Sequence, residues 1–213
     1  LSLVLFFPIV GGLLFGLAGT FDYPGAWSLL ASLLVVAVAM VAYYLKTDPE
    51  FLAKRSDYRE KEKTQKGIIG LALLPSLSLF AVPALDRRFG WTPFSWAIIA
   101  AGLALVFIGF AFLMAVMRAN RFAARTIKIQ EGQRVIDSGP YALVRHPMYL
   151  AAILVYAGMP LALQSLWGLL GIPFLVAVLV LRIVDEEKIL LSGLAGYGEY
   201  LKKVRWRLLP RVW

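Results

Sequence analysis

Residues 94–117 read FSWAIIAAGLALVFIGFAFLMAVM, 24 positions without one charged side chain. At about 1.5 Å rise per residue, this run is long enough as helix to cross the roughly 30 Å hydrocarbon core of a bilayer. A helix on the surface of a water-soluble domain breaks its apolar stripe with polar positions on every turn. The same texture recurs on both sides. Leu1–Thr20, Trp27–Leu45 and Gly67–Leu85 precede the run, and Pro147–Leu163 and Leu166–Val184 follow it. The expected fold class is therefore all-α and integral to the membrane, with five to six transmembrane helices. No basic n-region or small-residue cleavage site is visible around residues 1–20, so they are read as a spanning helix. Pro75 and Pro83 are expected to kink or weaken the helix over Gly67–Leu85.

Composition agrees. Hydrophobic residues make up 60% of the chain and charged residues 16%, against roughly 45–50% and 25% in soluble domains. Cysteine is absent, which excludes disulfides, thiolate metal ligands and a cysteine nucleophile. A single histidine, His146, argues against an ordinary zinc site. The net charge of +9 comes from bunched residues. Residues 46–66 hold seven Lys and Arg, 118–146 hold six and the segment from Arg182 onward seven, with only Arg87 and Arg88 elsewhere. Positive charge collects on cytoplasmic loops. Both termini and the polar segments are thus expected in the cytoplasm, and no nucleic-acid partner is needed to explain the charge. Trp27, Trp91, Trp96 and Trp167 fall at the opposite interface, as an aromatic belt does.

The chain divides into N-terminal transmembrane helices over 1–110 and a core over 111–213 that carries the chemistry. Residues 46–66 are read as a solvated or lipid-facing loop. Lys202, Lys203, Arg205 and Arg207, with Trp206 and Trp213, are read as an amphipathic tail on anionic lipid. In the core, Ser138-Gly139-Pro140 is turn chemistry, and Pro147 suits the first turn of a helix. Arg145 and His146 then stand at a helix N-terminus, where unpaired amides favour an anion. Asp185-Glu186-Glu187 is placed at the end of the following helix, where carboxylates oppose the helix dipole and call for partners. The antiparallel hairpin brings this segment back to Arg145 and His146. A cationic pocket facing a carboxylate pair complements a zwitterion with an extra cation, such as S-adenosylmethionine; a nucleotide phosphate suits the cationic end equally. Asn120 and Arg121 are secondary candidates.

Gly139-Pro140-Tyr141, Arg145-His146-Pro147-Met148-Tyr149, Glu186-Glu187 and the tail Tyr197-Gly198-Glu199-Tyr200, Val204, Arg207, Leu209-Pro210 resemble the isoprenylcysteine carboxyl methyltransferase and phospholipid methyltransferase group of membrane enzymes. The resemblance covers about residues 115–213. It departs at Ala151, where the family often has glycine. It implies a SAM-dependent integral membrane methyltransferase, with S-adenosylmethionine in a cytoplasmic-side pocket formed by the last helical hairpin and the C-terminal tail. Tyr141, Arg145, His146, Pro147, Tyr149, Glu186 and Glu187 are the expected cofactor-binding residues, with Glu187 and Arg145 nearest the chemistry. The expected partner is a lipophilic small molecule or lipid reached from the bilayer, for example an isoprenoid carboxylate. The alternatives are an NADPH-dependent membrane reductase of sterol-reductase type, which shares the Arg-His-Pro-x-Tyr turn, and a non-catalytic lipid-binding protein.

Overall fold

In hydrocarbon every backbone polar group has to be satisfied within the protein, and a helix does this segment by segment. The computed structural model describes residues 2–55, 63–122 and 129–213, and among these it contains helices and no strand. The α-helices are α1 (Ser2–Ala18), α2 (Pro24–Thr47), α3 (Pro49–Arg55), α4 (Lys63–Phe89), α5 (Trp96–Ala119), α6 (Pro147–Ala162), α7 (Ile172–Gly193) and α8 (Tyr197–Lys203). Short 3-10 turns cover Gly139–Ala142 and Trp167–Gly171. Among the described residues, four helical stretches are long and apolar enough to cross a membrane: Pro24–Thr47, Gly67–Phe89, Trp96–Ala119 and Trp167–Gly193. Leu5–Ala18 and Pro147–Ala162 are apolar but shorter. The protein is an all-α integral membrane protein; among the described residues four helices are long and apolar enough to span and two apolar helices are shorter, against the five to six spans expected from sequence.

Helix α4 contains both Pro75 and Pro83, and the Ser78 hydroxyl donates to the Pro75 carbonyl at 2.7 Å. Two boundaries differ from the sequence reading in ways that matter. The segment read as a solvated loop contains α3, whose Phe51 is buried, and at its far end the fully buried Gln65. Helix α7 continues past the acidic triplet to Gly193, so Asp185, Glu186 and Glu187 lie inside the helix, not at its end.

The described residues form two compact units. The first comprises Leu1–Ala39, Ala72–Phe110 and Ile153–Val176. Its core gathers Leu14, Leu29, Leu79, Val106, Ala162 and Leu163, with Tyr23 donating its hydroxyl to the Leu163 carbonyl at 2.9 Å. Here α5 and α6 meet backbone to backbone. A methyl group on Gly102 would fall on the Leu161–Ala162 backbone, and one on Gly158 would sit 2.8 Å from the Gly102 carbonyl. Small residues let membrane helices approach this closely. The second unit comprises Met40–Leu71, Ala111–Ala152 and Ala177–Trp213. It packs Tyr44, Phe51 and Met117 in one cluster and Leu194, Tyr197, Tyr200 and Val204 in another. Large apolar side chains such as Val35, Val38, Leu71, Leu74, Ile108, Phe174 and Leu181 remain exposed along the long helices, a surface that a bilayer covers and water does not tolerate at this extent.

Candidate active site

The second unit builds its polar centre where the start of α6, the middle of α7 and the C-terminal tail meet. The tail is tied on by the backbone. Arg145 N–H donates to the Trp206 carbonyl and His146 N–H to the Arg207 carbonyl, each at 2.9 Å. The final turn closes as Arg207 and Leu208 N–H donate to the Trp213 carbonyl, with the Arg207 guanidinium over the Trp213 ring at 5.0 Å. The amides that were expected to await an anion at the helix start are therefore engaged by the tail.

The side chains converge on Glu187, which is only 5% exposed. Its Oε1 lies 3.2 Å from His146 Nε2 and 3.3 Å from Arg145 Nε, and its Oε2 accepts from Arg207 Nε at 2.8 Å. Arg145 and His146 are as buried as Glu187, while Arg207 is one-third exposed. The Arg145 contact is an ion pair without the alignment of a hydrogen bond: its buried Nε–H has no hydrogen-bond partner. Such charge-assisted contacts offset the cost of burying a carboxylate. One residue earlier, Glu186 Oε2 accepts the Tyr149 hydroxyl at 2.6 Å, and that hydroxyl accepts Arg182 Nε–H at 3.0 Å. Asp185 Oδ2 accepts the Gln65 amide at 2.5 Å. Each member of the acidic triplet thus has its own partner, supplied by α4, α6 or the tail.

Tyr197 and Tyr200, on α8, complete the surroundings. Tyr200 donates to the Tyr141 carbonyl at 2.8 Å. Tyr197 is buried and its hydroxyl has no hydrogen-bond partner. Burial first, and the negative charge of Glu187 and Glu186 second, raise the Tyr197 hydroxyl well above the ordinary phenol range, so it remains a proton donor. Tyr200 is raised for the same leading reason.

Residues 97–195 match the family model of phospholipid methyltransferase. Over this stretch, somewhat under half of the chain, the sequence is similar to phospholipid methyltransferases. No curated protein matches the chain. The matched stretch includes Tyr141, Arg145, His146, Pro147, Tyr149, Arg182, Glu186 and Glu187, whereas Tyr197, Tyr200 and Arg207 lie beyond it. This similarity supports a membrane methyltransferase of the phospholipid or isoprenylcysteine type.

The residues singled out from the sequence are brought together only in part. Arg145, His146 and Glu187 are brought into contact, Tyr149 is joined to Glu186, and Pro147 opens α6 beside them. Tyr141 joins through its backbone carbonyl, held by Tyr200. Asn120 and Arg121 stand apart: Asn120 Oδ1 caps its own turn by accepting Phe122 N–H, and the exposed Arg121 pairs with Asp48 at 2.6 Å. Arg207, assigned from sequence to a lipid-facing tail, instead holds Glu187. Arg182 and Gln65 were not singled out. A cation placed one helical turn before Glu186 was the available sign for Arg182; for Gln65, at the edge of a charged run, the sequence offered none.

Ala151, the position at which the sequence departs from the resemblance, is fully buried in α6.

Proposed function

We propose that this protein transfers a methyl group from S-adenosylmethionine to a lipophilic acceptor at the membrane. The observation that carries the reading is the buried Glu187, which lies in the stretch similar to phospholipid methyltransferases and is held by Arg145, His146 and Arg207. The residues fit the cofactor in one testable respect. Two buried donors in this cluster, Arg145 Nε and the Tyr197 hydroxyl, have no hydrogen-bond partner, and an unmet buried donor costs free energy until a ligand supplies an acceptor.

In this reading Arg145, His146 and Tyr197 hold the carboxylate end of S-adenosylmethionine. Glu186 and Glu187 orient its ammonium or its ribose hydroxyls, and Tyr141 and Tyr149 shape the pocket around Pro147. When bound, S-adenosylmethionine supplies an electrophilic methyl group on a positively charged sulfur. Arg145 and Glu187 act closest to the reacting centre by fixing alignment, which alone accounts for much of the acceleration in such a transfer. The buried surroundings keep water out, and attraction between an anionic acceptor and a cationic donor is stronger there than in water. A carboxylate acceptor, such as that of an isoprenoid acid, needs no general base; a phospholipid amine has to give up a proton. The bunching of Lys and Arg supports a cytoplasmic site and cytoplasmic termini.

Calorimetry on the detergent-purified chain tests the reading, with S-adenosylhomocysteine and NADPH as ligands. S-adenosylhomocysteine is expected to bind, with affinity lowered about ten- to a hundredfold in Glu187→Ala and His146→Ala. Binding of NADPH alone would replace this reading with the membrane reductase.

A further inference from the structure

The first unit contains a polar chamber that methyl transfer does not use. A cavity of about 180 Å³ is lined by Asp86, Arg87, Thr92 and Gln164, with Phe94 and Leu163 among its apolar walls. Its volume exceeds that of the roughly 150 Å³ engineered cavity that takes up benzene, so a ligand fragment of six or seven heavy atoms has room.

Three observations define what it would hold. Asp86 is 1% exposed, and among the described residues its partners are neutral: Thr92 N–H at 2.6 Å, the Thr92 hydroxyl at 2.7 Å and the Ser165 hydroxyl at 2.5 Å. A carboxylate offers about four acceptor positions, so one remains, and a buried carboxylate without a cation calls for one. Arg87 spends its Nε and Nη2 on Asp22, leaving its Nη1 donors for an anion. Gln164 is only 8% exposed and lines the chamber. Its backbone holds a φ of +59°, uncommon for any residue but glycine. One chamber therefore presents a free anionic position, a free cationic position and a side-chain amide.

The chamber also sits among interfacial aromatics. Exposed Phe89 and Trp91 stack at 5.6 Å, and exposed Phe94 and Trp96 meet edge to face at 5.1 Å. Rings of this kind mark headgroup depth in a bilayer.

We infer that this chamber binds the zwitterionic headgroup of a phospholipid, its ammonium at Asp86 and Gln164 and its phosphate at Arg87. The site is independent of the methyltransferase reading, because it uses none of the residues around Glu187.

Native mass spectrometry of the full chain, released from nanodiscs of equal phosphatidylethanolamine and phosphatidylglycerol, reads the inference directly. Retention of phosphatidylethanolamine over phosphatidylglycerol, which lacks an ammonium, is expected. Gln164→Leu keeps the side-chain bulk and should weaken that retention about tenfold, while Glu187→Gln should leave it unchanged. Equal retention of both lipids overturns the inference even if Gln164→Leu fails to fold. Loss of the lipid in Glu187→Gln, with retention in Gln164→Leu, also overturns it by assigning the lipid to the other site. Displacement by free O-phosphoethanolamine would support the headgroup chemistry and show that the acyl chains are dispensable; no displacement, with selective lipid retention, would assign the ligand to the bilayer.

Discussion

Glu187 and Asp86 are both carboxylates buried on long apolar helices, yet their surroundings differ in kind. Glu187 is enclosed by Arg145, His146 and Arg207, contributed by the start of α6 and by the tail. Asp86 is enclosed by one backbone amide and two hydroxyls. The first arrangement concentrates charge and leaves donors unmet; the second knits the loop after α4 to the turn after α6 with neutral hydrogen bonds. Charge that is costly to bury and incompletely paired marks a place where a ligand completes the structure. Neutral donors around a single carboxylate fix the chain and leave its charge without a cation among the described residues, the role that the proposed headgroup ammonium fills.

The comparison is broken most directly by removing each carboxylate. Glu187→Ala leaves Arg145 buried without its counter-ion and is expected to cost about 3–5 kcal/mol. Asp86→Asn keeps an acceptor for the Thr92 amide, and the two hydroxyls can reorient, so about 1–2 kcal/mol is expected. Thermal unfolding in detergent gives the order of the two. If Asp86→Asn proved as damaging as Glu187→Ala, or abolished S-adenosylhomocysteine binding, the distinction between a cluster of paired charges and a carboxylate held by neutral hydrogen bonds would fail.

A smaller effect sharpens the account of the first region. Tyr149 links Arg182 to Glu186 through one hydroxyl. Tyr149→Phe keeps the ring and removes the link, and the two charges, four positions apart on α7, can still approach each other. The expected loss is about 1–2 kcal/mol of stability, with a weakening of S-adenosylhomocysteine binding no greater than about tenfold. An unchanged melt and an unchanged affinity would reduce Tyr149 to an interfacial aromatic.

The two regions were unequally legible in the sequence, and the reason is physical. Arg145, His146 and Pro147 are contiguous, and Glu186 and Glu187 form a visible pair, so a helical hairpin was enough to bring them together. The Asp86 knot joins partners six and 79 positions away, and single Thr and Ser residues in turns carry no local sign of a distant carboxylate. The apolar spans were readable because bilayer thickness imposes length on them. The end of α7 was not: three adjacent carboxylates look like a helix terminus until Gln65, Tyr149 and Arg207 are seen to receive them. Gln65 and Arg207 were both assigned to the surface for the same reason, since charge-rich neighbours conceal a residue whose partner lies elsewhere in the fold.

The smallest effect belongs to the tail's outer face and tests whether charge pairing as such holds the tail in place. Lys203 meets Asp137 at 2.6 Å, with both side chains about half or more exposed. The hydrogen bond and charge of the Lys203 ammonium hold the Asp137 carboxyl below its ordinary range. Because the folded-state value is depressed, the pair contributes stability above the unfolded pKa and loses it as pH falls through the folded value. Solvent screens such a pair heavily. Asp137→Asn is therefore expected to leave the neutral-pH melting temperature within measurement error and to flatten only slightly its decline in acid. A marked drop at neutral pH would mean that the tail depends on this exposed contact. The expected outcome leaves the holding of the tail to the Arg145 and His146 amide bonds and to the buried pairing of Arg207 with Glu187.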